Sequence, residues 1–253
     1  MTTEKTIYHG RFVWRELMTT DLDKSRGFYG ELFNWKIEDV DMGSMMYPMI
    51  HNDGRAQGGL MPVQQPGQAS HWRSFISHED VDEAARRVTS NGGQIVFGPE
   101  TMGPGRAVIA TDPSGAHLSL WHSTDGDAPL PERPAVGEFC WEDLMTPDAD
   151  AVKDFYASVV GWKTEGFPGN DSITIFKAGD VMAGGINTNA PKGTPAHWLT
   201  YVVVDSLAAA RERATRLGAT TMLEEVAVGD FGKISIIRDN VGAGIGLFES
   251  TSS

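Results

Sequence analysis

The sequence predicts an α+β protein built from four βαβββ modules, two in each half, and three observations carry that expectation. First, FVWRELMTTDLDKSRGFYGELFNW at 12–35 returns as FCWEDLMTPDADAVKDFYASVVGW at 139–162, with ten identities in 24 pairs at a constant offset of 127. Second, inside each copy an alternating, β-prone run gives way to a helical one, a change of apolar period from two to about 3.6. Third, the stretch STDGDAPLPERPAVG at 123–137 has three prolines and no apolar periodicity, and reads as a surface connector between the halves.

The repetition continues beyond the first stretch. Gly58-Gly59 and His71-Trp72 return as Gly184-Gly185 and His197-Trp198 at an offset of 126. Gly105, Asp112, Gly115 and Leu120 return as Gly232, Asp239, Gly242 and Leu247 at 127, so two single-residue insertions or deletions account for the drift. Self-similarity at a fixed period marks a repeated structural unit. The expected division is a first domain at 1–124, a linker at 125–136 and a second domain at 137–253.

The elements of one half follow in order. FVWREL alternates and forms a strand. In TTDLDKSRGFYGELF, Leu22, Ser25, Phe28, Tyr29, Leu32 and Phe33 share one helical face, and Thr19 or Asp21 can accept a hydrogen bond from a free N–H at its start. In the second copy Pro147 is expected near the first helical position, where its missing N–H is harmless. Three strands follow around WKIEDV, SMMYPMI and AQGGLMPV, with NDG at 52–54 as a hairpin turn between the last two. HWRSFIS restarts the pattern. In VDEAARRVTSNGG, Val81, Ala84, Ala85 and Val88 make a helical face, and Gly92 or Gly93 ends the helix in the left-handed conformation. QIVFG, RAVIATD and AHLSLWH complete the half, with DPSG as the last turn.

Bulk properties narrow the function classes. The 253 residues are 40% apolar, enough for an ordinary core, and no run approaches the ~20 apolar residues of a membrane span. The segment MTTEKTIYHG lacks the basic and apolar regions of a secretory signal. Cys140 is the sole cysteine, so an intrachain disulfide and a cysteine zinc cluster are both excluded, and a reducing cytoplasm is the expected setting. A formal net charge of −13 repels phosphate backbones and anionic lipids, so neither nucleic acid nor membrane is an expected partner, whereas a cationic ligand is tolerated. GGQIVFG and GPGR carry no Walker pattern. A small-molecule ligand is the expected partner, and the chain is expected to be a monomer or a homodimer.

The pair DLDKSRGFYGELFNW and DADAVKDFYASVVGW, together with DVDEAARRVTSNGGQI and GRAVIATDPSGAHLSLW, resembles the vicinal-oxygen-chelate superfamily. That is the group of glyoxalase I, bleomycin-resistance proteins, fosfomycin-resistance enzymes and extradiol dioxygenases. The resemblance covers nearly the whole chain. The HW and GG pairs are most similar to a tandem subgroup often labelled hydroxylases or culture-filtrate antigens. The resemblance implies two glyoxalase-like domains whose curved mixed sheets enclose cups for ligand. It leaves open whether modules pair within a half or between halves.

The resemblance also implies one divalent metal per cup, held by His, Gln and Glu from the first and last strands. Here the first-strand position falls on Trp14 and Trp141, and an indole has no lone pair to give. The corresponding position before the second helix falls on Arg73 and Leu199, and the terminal one on Ser119 and Gly246. The fourth strand offers Gly58, Gly59 and Leu60, then Gly184, Gly185 and Ile186, with no acid. No metal or other cofactor is therefore expected.

The candidate ligand-binding residues are Trp14, Glu16, His71, Arg73, Trp121, Trp141, Asp143, His197, Tyr201 and Phe248. His71 and His197 lie two residues before the vacated position and share its face. Glu16 and Asp143 lie two residues after the tryptophans, where burial could tune a carboxylate as acid or base. Each group has a structural alternative: histidines bonding locally at a strand start, carboxylates paired with arginine or backbone, aromatics packed as core. Trp72 and Trp198 have the opposite parity and are expected to pack against a helix. Cys140 is expected to be a small buried residue, not a nucleophile.

No catalytic residue is assigned. The leading expectation is a small-molecule-binding protein whose metal-free, aromatic-lined cups sequester a planar or cationic compound. The alternatives are a metal-dependent lyase, isomerase or oxygenase using His71 or His197 with Glu16 or Asp143, and a partner-binding protein with filled cups.

Overall fold

The computed structural model describes residues 5–43, 45–190 and 192–251. Ser44, at the start of one expected strand, and the first four residues of the segment read for signal character lie outside the described residues. The described chain follows the βαβββ order four times. Module 1 is β1 (Phe12–Thr19), α1 (Leu22–Phe33), β2 (Lys36–Asp41), β3 (Met46–Asn52) and β4 (Arg55–Pro62). Module 2 is β5 (His71–Ser77), α2 (Val81–Ser90), β6 (Gln94–Met102), β7 (Gly105–Thr111) and β8 (His117–Ser123). Module 3 is β9 (Phe139–Met145), α3 (Asp150–Val160), β10 (Lys163–Gly166), β11 (Ile173–Ala178) and β12 (Val181–Asn187). Module 4 is β13 (His197–Val203), α4 (Leu207–Arg216), β14 (Thr220–Val228), β15 (Gly232–Arg238) and β16 (Gly244–Ser250).

The strands form two eight-stranded mixed sheets, in the orders β2-β3-β4-β1-β5-β8-β7-β6 and β10-β11-β12-β9-β13-β16-β15-β14. β1 runs parallel to β4, and β5 to β8, while the hairpin pairs are antiparallel.

Local chemistry sets the element ends. The Asp21 carboxylate accepts from Lys24 N at 3.1 Å and Asp80 from Glu83 N at 2.9 Å, each satisfying a free amide of a first helical turn. Asp53 and Gly54 take φ of 46° and 81°, the pair of left-handed residues a two-residue hairpin turn requires. Gly92 follows α2 with φ 85°. The expectation for Pro147 needs correction, because α3 begins at Asp150. Asp148 supplies the cap by accepting from Ala151 N at 3.1 Å, so the proline precedes the cap instead of opening the helix.

Packing divides the chain into two compact units, each taking a module from each half. Unit 1 comprises Met1–Trp14, Arg73–Leu130 and Glu142–Trp198. Its core joins the apolar faces of α2 and α3 to the sheet residues Ile76, Val108, Leu120, Leu144 and Ile186. A buried hydrogen-bond chain ties it together: Trp198 Nε1 donates to Tyr156 Oη at 3.0 Å, and Tyr156 donates to Asp112 at 3.0 Å. Trp162 Nε1 donates to Gly10 O at 2.8 Å.

Unit 2 comprises Arg15–Trp72, Pro131–Trp141 and Leu199–Ser253. Its core uses Leu17, Phe28, Leu60, Ala210, Ala214 and Leu247. Trp72 Nε1 donates to Tyr29 Oη at 3.0 Å, Tyr29 donates to Asp239 at 2.8 Å, and Trp35 Nε1 donates to Gly137 O at 2.7 Å. Burial, then the neighbouring carboxylate, pushes the Tyr29 and Tyr156 hydroxyls well above their usual pKa. Burial likewise raises Asp239 against its hydrogen bonds.

Trp72 is thus core, as its parity implies, and Trp198 is half-buried against the other core. Cys140 departs from expectation. It is half-buried, with its thiol 3.5 Å from Tyr201 O.

Candidate ligand-binding faces

Each module has one sheet face packed on a helix and one face turned away from it. In module 1, Leu17, Ile50 and Leu60 enter the core, so Glu16, Tyr47, Met49 and Gly59 lie on the helix-free face. Glu16 pairs in register with Gly59. A side chain at Gly59 would overlap Tyr47, so the glycine is what lets that ring lie across β4. From there the Tyr47 hydroxyl donates to Glu16 Oε1 at 3.0 Å. Trp14, in unit 1, is half-buried on β1.

In module 2, Ile76, Val108, Leu118 and Leu120 are core. Arg73, Phe75, His117, Ser119 and Trp121 therefore line the helix-free face of β5 and β8. Phe75 pairs in register with Ser119 and meets Trp121 edge-on with centroids 6.4 Å apart. The Arg73 guanidinium sits 5.3 Å over the Phe75 ring, within cation–π range. Trp121 lies across Gly105, where any side chain would overlap the indole. Ser119 is 0% exposed, and its hydroxyl has no hydrogen-bond partner among the described residues. His117 is held below the usual imidazole range by desolvation and by the Arg73 charge.

Module 3 replaces these groups. Asp143 is 6% exposed and pairs in register with Gly185, and Asn187 Nδ2 approaches its carboxylate at 3.5 Å. Ile173 stands where module 1 has Tyr47, by strand register. In module 4, the buried Tyr201 pairs with Gly246, and its ring occupies the space a side chain there would need. A side chain at Gly232 would meet the Glu249 carbonyl first and then the edge of the Phe248 ring. Trp141, in unit 2, is half-buried on β9.

The two repeated histidines make the same local bond. His71 Nδ1 lies 2.9 Å from Ala69 O, and His197 Nδ1 lies 2.8 Å from Pro195 O. Sequence reasoning passed over Tyr47, Phe75 and Asn187. The Gly58-Gly59 and Gly184-Gly185 pairs were the available signal, since a strand glycine marks close approach of another group.

A divalent ion needs several converging lone-pair donors. At the positions where the resemblance implies metal ligands, this chain has Trp14 and Trp141, Arg73 and Leu199, Ser119 and Gly246. Indole, guanidinium and aliphatic groups give no such donor, and a single hydroxyl is insufficient. Among the described residues no group of three or more His, Cys, Asp or Glu is arranged to hold a metal. The residues present do not fit the ion.

Comparison with known proteins agrees with the architecture. Residues 11–120 match the model of the Glyoxalase/Bleomycin resistance protein/Dioxygenase superfamily, and the chain as a whole has the glyoxalase-like fold. The chain is 27% identical over 260 residues to the anthracycline biosynthesis protein DnrV of Streptomyces peucetius, covering 95% of this chain and 93% of that protein. It superposes with a TM-score of 0.66 on the Mn(II)-bound glyoxalase of Novosphingobium aromaticivorans, at 14% identity, covering 95% of this chain and 82% of that one. The 2,3-dioxygenase LapB of Pseudomonas sp. KL28 gives 0.65 at 13% identity, covering 98% and 94%. Identities this low speak for the fold alone. Among the described residues no helix is long and apolar enough to cross a membrane.

Proposed function

We propose that this protein binds a small planar organic molecule on the helix-free faces of its sheets, without a metal, and sequesters it. One observation carries the reading: aromatic rings stand at or beside the positions where the superfamily's metal ligands fall. Trp14 and Trp141 occupy the first-strand positions, and the Tyr201 ring lies over Gly246 at the terminal one. Flat aromatic walls suit flat guests. The relative named for anthracycline biosynthesis supports the same class, since anthracyclines are fused-ring planar compounds. The net charge of −13 favours a neutral or cationic guest over an anionic one. The reading includes a cytoplasmic protein, monomeric or homodimeric, with no nucleic-acid partner.

The test is a titration with daunorubicin, followed by calorimetry and tryptophan fluorescence. The double variant Trp14→Ala with Trp141→Ala should weaken binding about tenfold with little change in stability. Unchanged affinity in the double variant would sink the proposal. The metal-dependent alternative rests on fold likeness. It requires stoichiometric metal in protein purified without chelator, and turnover abolished by His71→Ala and His197→Ala.

A further inference from the structure

The two halves agree where they pack and differ where they face away from their helices. Tyr29, Trp35, Trp72 and Asp239 make the same bonds as Tyr156, Trp162, Trp198 and Asp112. On the helix-free faces the corresponding pairs are Glu16 with Asp143, Tyr47 with Ile173, Arg73 with Leu199, Phe75 with Tyr201, Ser119 with Gly246, and Trp121 with Phe248. Folding explains the first set. It gives no reason for the second.

Between modules 2 and 4, module 2 holds Arg73 and Ser119 where module 4 has Leu199 and Gly246. Ser119 is fully buried with an unsatisfied hydroxyl, an arrangement that is unfavourable in the folded protein alone. Its register partner Phe75 carries the Arg73 guanidinium over its ring. A planar ligand stacked on Trp121, edge-on to Phe75, would bring its edge to both a hydroxyl and a cation. Carbonyl and phenolic oxygens suit both groups, since each accepts hydrogen bonds from serine and arginine. Because Ser119 is covered, the ligand must displace a side chain to reach it. Arg73 and Trp121 are the half-buried members of the face with exposure left to lose. Module 4 offers Leu199 and Gly246 instead, and Tyr201 already lies in the space above that glycine.

We infer that the chain holds one ligand, not two, and that Arg73 and Ser119 of module 2 recognise an oxygen-bearing edge of a planar aromatic while the module 4 face is closed by its own tyrosine. The inference rests on the proposed binding function and specifies its ligand. The probes are 1,8-dihydroxyanthraquinone, which carries carbonyl and phenolic oxygens, and 9-aminoacridine, which is planar and cationic without oxygen. Calorimetry on the full chain should give one anthraquinone per chain, bound more tightly than the acridine. Ser119→Ala should weaken the anthraquinone about five- to tenfold and leave the acridine unchanged, and Arg73→Met should act in the same sense.

Ser119→Ala should also leave stability unchanged or raise it, because it removes an unsatisfied buried group. A hydroxyl with a purely structural role would lower stability instead. Two equivalents per chain, or anthraquinone affinity unaffected by Ser119→Ala, overturns this inference and leaves the binding function standing. Failure of both probes to bind overturns the two together.

Discussion

The Tyr29 hydroxyl donates to the Asp239 carboxylate 210 residues away in sequence, at 2.8 Å, inside a core that excludes water. The same hydroxyl accepts from Trp72 Nε1. Tyr29→Phe removes both bonds and strands two buried polar groups, so it should lower unfolding free energy by about 1–3 kcal/mol. Tyr156→Phe should do the same in the other unit. With no shared partners the two losses should add, as urea denaturation midpoints at constant m-value would show.

The glycines beneath the aromatic rings are close-approach positions. Gly246→Ala places a methyl against the Tyr201 ring, and overpacking of this kind typically costs about 1–3 kcal/mol. Gly59→Ala pushes at the outer end of Tyr47, which has more room to give, and should break its bond to Glu16. The expected order of thermal midpoints is wild type, then Gly59→Ala, then Gly246→Ala.

Arg55 meets Glu138 with two nitrogens, at 3.0 and 2.6 Å, and the Glu138 side chain is only 10% exposed. Arg55→Met leaves that carboxylate with its bond from Ala135 N and no counter-charge. Because the Arg55 side chain is 35% exposed and solvent screens the pair, its removal should cost about 1–2 kcal/mol, less than for a fully buried pair. The double variant Arg55→Met with Glu138→Gln should recover part of the loss in the same denaturation assay.

Acid should weaken the fold through His78. Burial, then the adjacent His9 ring, holds this imidazole below its usual range, with Arg87 acting in the same direction. Backbone hydrogen bonds oppose the shift without reversing it. The unfolded chain takes up a proton near pH 6.5, while the folded chain resists until lower pH. The stabilising contribution is therefore complete above that pH and lost as pH falls below it, with His117 adding in the same sense. Asp239 has the opposite sign. Its raised pKa makes its contribution present below the usual carboxylate range and lost as pH rises through the folded value. A thermal midpoint that declines between pH 7 and pH 5.5, and declines less in His78→Gln, is the expected outcome.

Local periodicity made the modules legible. Alternation in FVWREL and the helical face from Leu22 to Phe33 depend on neighbours in sequence, and so do the Asp21 cap and the Asp53-Gly54 turn. The Tyr29–Asp239 and Tyr156–Asp112 pairs were illegible because a contact across such a separation leaves no local pattern. The repeat marked these residues as special without saying that their task was packing. Pro147 misled because a proline just before a cap resembles one just after it. On the helix-free faces, Trp14 and Glu16 could be singled out from parity. Tyr47 could not, since Ile173 in the other half gives no echo. Ser119 was visible only as a position lacking a metal ligand, and its unsatisfied hydroxyl is a property of three-dimensional burial.

Each compact unit drawing on both halves has a consequence for how such a chain could arise. A half ending at residue 124 carries Tyr29 without Asp239 and Asp112 without Tyr156. Two copies of that half could still complete each other, because Tyr29 of one could meet Asp112 of the other. Such an assembly would fall apart on dilution, and its unfolding midpoint would depend on concentration. The 123–137 connector replaces that association with a tether, fixing the partner at an effective concentration on the order of millimolar. Once fused, the copies no longer have to be identical. Selection for mutual fit then constrains only the Trp–Tyr–Asp chains and the cores, and the remaining faces are free to specialise apart.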